Sequence, residues 1–246
     1  MKIRLRSAFI IAFVALTFVM HEAHEIAHTS VGRWLCGCWG PRDFNNWQLC
    51  KSCTDGSIAR AAGIAGPLFS FVVMWIGYWL LHPTQSLRRQ SLGFALVFAN
   101  MPFGRILTAA LGGGDEVYNL KQLTGNFPLA WAAGTALVLA LSTPPLLRAY
   151  RRLANPRRVG LFLGFFLLPL ALDVLLVLGG LNTLLARGVL ADTGLLGSPI
   201  LVNVWTTVVA LTLGLTYRAL GTLAQPVAAS VPVTGLLESA REAAQP

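Results

Sequence analysis

The sequence predicts an all-α, polytopic membrane protein with about six transmembrane helices. Three observations predict it. Of 246 residues, 55% are hydrophobic and 12% charged, roughly half the charge of a soluble domain. Six apolar stretches approach the twenty or so residues that a helix needs to cross a bilayer. The arginines cluster between those stretches, so the net charge of +9 follows from the positive-inside rule and requires no nucleic-acid partner.

The elements follow in order. Helix 1 is expected over 8–32. It begins like a secretory signal, with Lys2, Arg4 and Arg6 before an apolar run from Ala8 to Met20. No small-x-small cleavage site follows, and Glu22-Ala23-His24 is a poor substitute, so an uncleaved transmembrane helix is expected. Helix 2 is expected over 61–81, helix 3 over 92–112, helix 4 over 127–147, helix 5 over 160–181 and helix 6 over 197–217. Pro67, Pro102, Pro144 and Pro169 lie inside them and are tolerated better in membrane helices than in soluble ones. One domain, 1–218, thus holds six helices, with a core of about 8–120 and a Cys-rich loop at 33–60. The tail, 219–246, is rich in Ala, Pro, Val and Thr and is expected to be weakly ordered. No repeat or second soluble domain is visible.

Lys and Arg also set an orientation. With the N-terminus in the cytoplasm, the inner segments hold twelve basic residues and the outer segments six, and five of the twelve fall in the short 148–158 loop. N- and C-termini are therefore expected to be cytoplasmic.

The second half of helix 1 carries the chemistry. Three of the four histidines lie between Met20 and His28, and His24-Glu25-Ile26-Ala27-His28 is a His-Glu-x-x-His pattern. Residues four apart share a helix face, so His24 and His28 can bind one ion. Glu25 sits about 100° round the axis, within reach of a water beside it. The plainer reading is two core histidines and a solvated Glu, but a solvated Glu sits poorly directly after an apolar run. Catalytic zinc takes three protein ligands. Leu111-Gly112-Gly113-Gly114-Asp115-Glu116 ends helix 3 near the expected depth of the histidines, and its glycines let the backbone bend. Asp115 is the expected third ligand, with Glu116, His21 and Asp173 as substitutes. His82, at the end of helix 2, is expected at the interface. Arg105 and Asp173 each lie thirteen residues into their helices, and an intramembrane charge normally finds a partner. An Arg105–Asp173 ion pair is therefore expected.

These residues resemble the site-2 protease family of intramembrane zinc metalloproteases. The resemblance rests on His24-Glu25-Ile26-Ala27-His28, with support from Asn100-Met101-Pro102 and the later Asp115, and covers about 20–120. It implies one catalytic zinc held by His24, His28 and Asp115, Glu25 as general base, Asn100 as a substrate-positioning or oxyanion residue, and a membrane-spanning or membrane-associated protein as substrate in the lipid bilayer. The sequence departs from the family pattern, which has Asn-x-x-Pro and a Leu-Asp-Gly motif close behind. Many bacterial members also place this helix the other way round in the membrane. The alternatives are a metal-binding membrane transporter or a non-catalytic relative that binds membrane proteins.

All four cysteines, Cys36, Cys38, Cys50 and Cys53, fall in the loop after helix 1. Two disulfides are expected if the loop faces an oxidising compartment, with three connectivities open. A second, structural metal site is the alternative. Trp39 and Trp47 in this loop are either interface anchors or part of a stapled cap over the histidines.

Overall fold

The computed structural model describes residues 1–225. Its organising element is α1, Ser7–Cys36. The first half of α1 is apolar and buries Phe9, Phe13 and Leu16. Its second half buries His21, Glu22, His24, Glu25 and His28 instead. Gly37 ends the helix in the left-handed region at φ 77°, returning its N–H to the Arg33 carbonyl, a conformation that glycine adopts without strain.

The remaining helices are α2 (Gly56–Leu80), α3 (Leu87–Ala99), α4 (Pro102–Ala110), α5 (Gly114–Thr124), α6 (Phe127–Arg152), α7 (Arg158–Leu172), α8 (Asn182–Ala186) and α9 (Ile200–Thr216). Asp55 caps α2 by accepting the Ser57 N–H, and its bonds from Ser57 hold its carboxyl below the usual range. A π-helical stretch, Asp173–Leu181, joins α7 to α8. Six helices or helix pairs are long and apolar enough to span a membrane: Ser7–Cys36, Gly56–Leu80, Leu87–Ala110, Phe127–Arg152, Arg158–Ala186 and Ile200–Thr222. The fold is that of an all-α, multi-pass membrane protein, with leucines such as Leu175 and Leu215 on its outer surface.

Two expectations change. Helix 3 is broken: α3 stops at Ala99, and Met101 adopts φ 49°, ψ 53°. The cause is Pro102, which disfavours helical backbone at the residue before it and then starts α4 at its first position. The first residues assigned to the tail, 219–225, also take part in the fold. Tyr217–Thr222 form a 3-10 turn, and strand β2 (Ala224–Gln225) pairs antiparallel with β1 (Lys2–Ile3). The rest of the expected tail lies outside the described residues.

An aromatic core fixes the middle of the bundle. Phe165 of α7 meets Phe13 of α1 and Phe94 of α3 edge-on, with ring centroids 5.1 and 5.0 Å away. Spans 2 and 3 approach backbone to backbone: a Cβ on Gly77 would lie 2.7 Å from the Gly93 carbonyl oxygen, and one on Gly93 equally close to that of Gly77. Small residues permit such contacts between membrane helices.

The β1–β2 ladder places both ends of the described chain on one face. The turn after α6 joins them, through Met1 N–H to the Arg152 carbonyl at 2.7 Å and Ala154 N–H to the Met1 carbonyl at 2.9 Å. The Cys-rich loop, the α4–α5 turn and the 187–199 segment lie at the other ends of their helices.

Candidate metal centre

Three side chains converge from two elements. His24 and His28 sit one turn apart on α1, and Asp115 is in the first turn of α5. His24 Nε2 is 3.1 Å from His28 Nε2 and 3.1 Å from Asp115 Oδ2, and His28 Nε2 is 3.6 Å from the same oxygen. A tetrahedral ion with ligands at about 2.0–2.1 Å sets its donor atoms roughly 3.3 Å apart. The triangle therefore has the size of one face of a zinc tetrahedron, and its donor set suits zinc. Among the described residues this is the one cluster of three His, Cys, Asp or Glu side chains close enough to hold an ion.

The opposite edge of each imidazole is also held. His28 Nδ1 lies 2.7 Å from the Ala62 carbonyl oxygen, which accepts its hydrogen and leaves the Nε2 lone pair for a ligand bond. His24 Nδ1 lies 3.1 Å from Ser70 Oγ, while Arg105 Nη2 reaches Ser70 Oγ at 2.7 Å and His24 Nδ1 at 2.8 Å. A hydroxyl oxygen has two lone pairs. For His24 Nε2 to ligate an ion, Nδ1 must carry the ring hydrogen and donate it to Ser70 Oγ; the Arg105 guanidinium, a donor only, then donates to Ser70 Oγ and not to Nδ1. Such partners fix tautomer and ring orientation at metal sites. Helix α2 comes close enough to supply them because residue 66 is glycine: a Cβ there would overlap His28 Nε2 and His24 Cε1.

Glu25 is buried on the wall of a cavity of about 390 Å³ that also exposes His24, Asp115, His21, Asn100 and Asp173. Its Oε2 has no hydrogen-bond partner among the described residues. Asn100, at the α3–α4 break, donates its amide to the Leu96 carbonyl at 2.7 Å, and its Oδ1 is buried without a partner. The break thus places an unpartnered acceptor beside the cavity.

The expected substitutes for Asp115 are engaged elsewhere. Glu116 pairs with Arg105 at 3.2 Å, and Asp173 lies 2.9 Å from His21 Nδ1. The expected Arg105–Asp173 pair is therefore not formed. The turn at Met101 redirects α4, so equal depth along two helices does not bring these side chains together.

The four cysteines form two nested bridges, Cys36–Cys53 and Cys38–Cys50, which takes them out of any second metal site. The loop that they close is a cap. Trp47 stacks on His28, with ring centroids 4.7 Å apart and planes 12° from parallel, and Asn45 reaches the cavity wall. Arg42 is buried and anchors the cap. Its Nη2 donates to Glu22 Oε2 at 3.0 Å, its Nε to Ser198 Oγ at 2.7 Å, and Thr206 Oγ1 donates to the same Glu22 oxygen at 2.8 Å. Sequence reasoning missed this clamp and the roles of Ser70, Gly66 and Ala62. Glu22, a second acid in an apolar helix, was the signal for the clamp. Nothing in the sequence pointed to the Ala62 carbonyl.

No protein-family model matches this chain, and no curated protein or solved structure matches it either.

Proposed function

We propose that the chain is an intramembrane zinc endopeptidase that hydrolyses peptide bonds of membrane-spanning or membrane-associated proteins. One observation carries this reading. Glu25, a buried carboxylate with an unpaired oxygen, lines the same cavity as His24 and Asp115, two members of a His24–His28–Asp115 triangle sized for one ion.

Zinc, when bound, supplies a Lewis acid that polarises the scissile carbonyl and brings the pKa of the attacking water towards about 7. Glu25 is the proton carrier: it takes a proton from the water and returns it to the leaving amine. Asn100 offers Oδ1, an acceptor, and so suits a backbone N–H of the substrate better than an oxyanion. Trp47 covers the outer side of His28 and keeps bulk water from it. A substrate helix must unwind before its backbone, whose polar groups are bonded within the helix, can reach Glu25. The orientation that fits is cytoplasmic N- and C-termini, with twelve basic residues on that side against six and both disulfides on the oxidising side.

A metal transporter would need coordinating groups at several depths; the described residues hold one such cluster. The deciding experiment measures zinc content and cleavage of reconstituted single-span substrates for the purified chain and three variants. About one zinc per chain is expected, lost in His24→Ala and Asp115→Ala but kept in Glu25→Gln, which no longer cleaves. Zinc that survives His24→Ala, or cleavage that survives Glu25→Gln, overturns the reading.

A further inference from the structure

A second cavity lies at the opposite end of the bundle, on the face that carries the N-terminus. It measures about 540 Å³ and is formed where the C-terminal ends of α2 and α6 meet. Arg148, Arg151 and Arg152 line it together with Tyr78 and His82, and no carboxylate does. Among the described residues, none of the three arginines forms an ion pair with an acid. Their hydrogen bonds are few. Arg148 Nη1 donates to the Tyr78 carbonyl at 3.1 Å while its guanidinium sits 3.5 Å above the Tyr78 ring, and Arg152 Nη2 donates to Gln90 at 2.6 Å. Arg152 Nε is buried with no partner among the described residues. Three guanidinium groups in one cavity repel one another unless an anion joins them, and planar guanidinium donors match phosphate oxygens best.

Location narrows the anion. Trp75, Tyr78 and Trp79 form an aromatic chain along the last turns of α2, and Trp79 is 63% exposed. Such residues mark headgroup level in a membrane protein. The apolar part of the lining is Leu147, Pro83 and Pro144, and Leu147 is exposed. A ligand that fits both parts carries a phosphate at one end and acyl chains at the other.

We infer that this cavity binds the phosphate headgroup of an anionic phospholipid in the leaflet on the N-terminal face. Arg148, Arg151 and Arg152 hold the phosphate and Leu147 lies against the first acyl methylenes. The site is independent of the metal centre. Basic cavities between membrane helices bind acidic headgroups in this way, at about 1 kcal/mol per Lys or Arg near the surface.

The test is native mass spectrometry of the full chain in detergent, titrated with phosphatidylglycerol, phosphatidylcholine or inorganic phosphate at constant ionic strength. Wild-type protein retains one phosphatidylglycerol more tightly than phosphatidylcholine, and Arg148→Gln/Arg151→Gln weakens that binding about 30-fold. Leu147→Glu, on an exposed position, places a carboxylate at the site and abolishes the preference without touching any arginine. Equal retention of the two lipids by wild type, or unchanged phosphatidylglycerol binding in both variants, overturns the inference. Displacement of the lipid by inorganic phosphate at matching concentration overturns the lipid assignment and makes the site one for free phosphate.

Discussion

Glu22 and Glu25 stand three residues apart on one helix, both buried, and the molecule treats them differently. Glu22 faces the cap and α9; its Oε2 is held by the Arg42 guanidinium and the Thr206 hydroxyl. Glu25 faces the cavity; its carboxylate forms no ion pair and its Oε2 makes no hydrogen bond among the described residues. A buried carboxylate with a charged partner joins elements together. One left without a charged partner costs folding free energy, which is the cost that the proposed proton-transfer role of Glu25 would justify. Glu22 keeps one oxygen, Oε1, without a partner among the described residues as well, so the contrast rests on the charged partner that Glu22 has and Glu25 lacks.

Four substitutions break or sharpen the contrast. The largest effect is expected from Glu25→Gln, which removes the proposed proton carrier and, on that proposal, lowers the cleavage rate about 10²–10⁴-fold, while thermal unfolding and zinc content stay at wild-type values. Glu22→Ala does the reverse. It strands a buried guanidinium and costs about 3–5 kcal/mol of stability, read as a lower unfolding temperature in detergent; an unchanged temperature would show that the clamp holds nothing. Ser70→Ala removes the acceptor behind His24 and weakens zinc binding about 10–100-fold, measured by competition with a chelator, with little change in stability. Asp55→Ala, at the exposed cap of α2, gives the smallest effect: a slight fall in unfolding temperature with zinc and cleavage intact.

The spans and the paired histidines His24 and His28 were legible because hydropathy and the i, i+4 spacing are local signals. Asp115 was legible because three glycines precede it and its depth matches that of the histidines. What escaped the sequence was non-local. Arg105 was matched to Asp173 by depth alone, but Pro102 forces a turn at Met101, and direction after a turn is set by packing. The Arg42 clamp escaped because its partners lie 20 and 156 residues away. The cap over His28 depends on which cysteines pair, and spacing leaves three choices.

The Glu22 clamp also sets an order of assembly. A ribosome delivers α1 first, so Glu22 enters the bilayer long before Thr206, 184 residues later, has been made. In that interval Arg42 is the one clamp partner already synthesised, because it follows within the first hairpin. Biogenesis therefore has a nascent state in which the α1–loop hairpin already carries its own counter-charge and waits for the sixth span to supply the last hydroxyl.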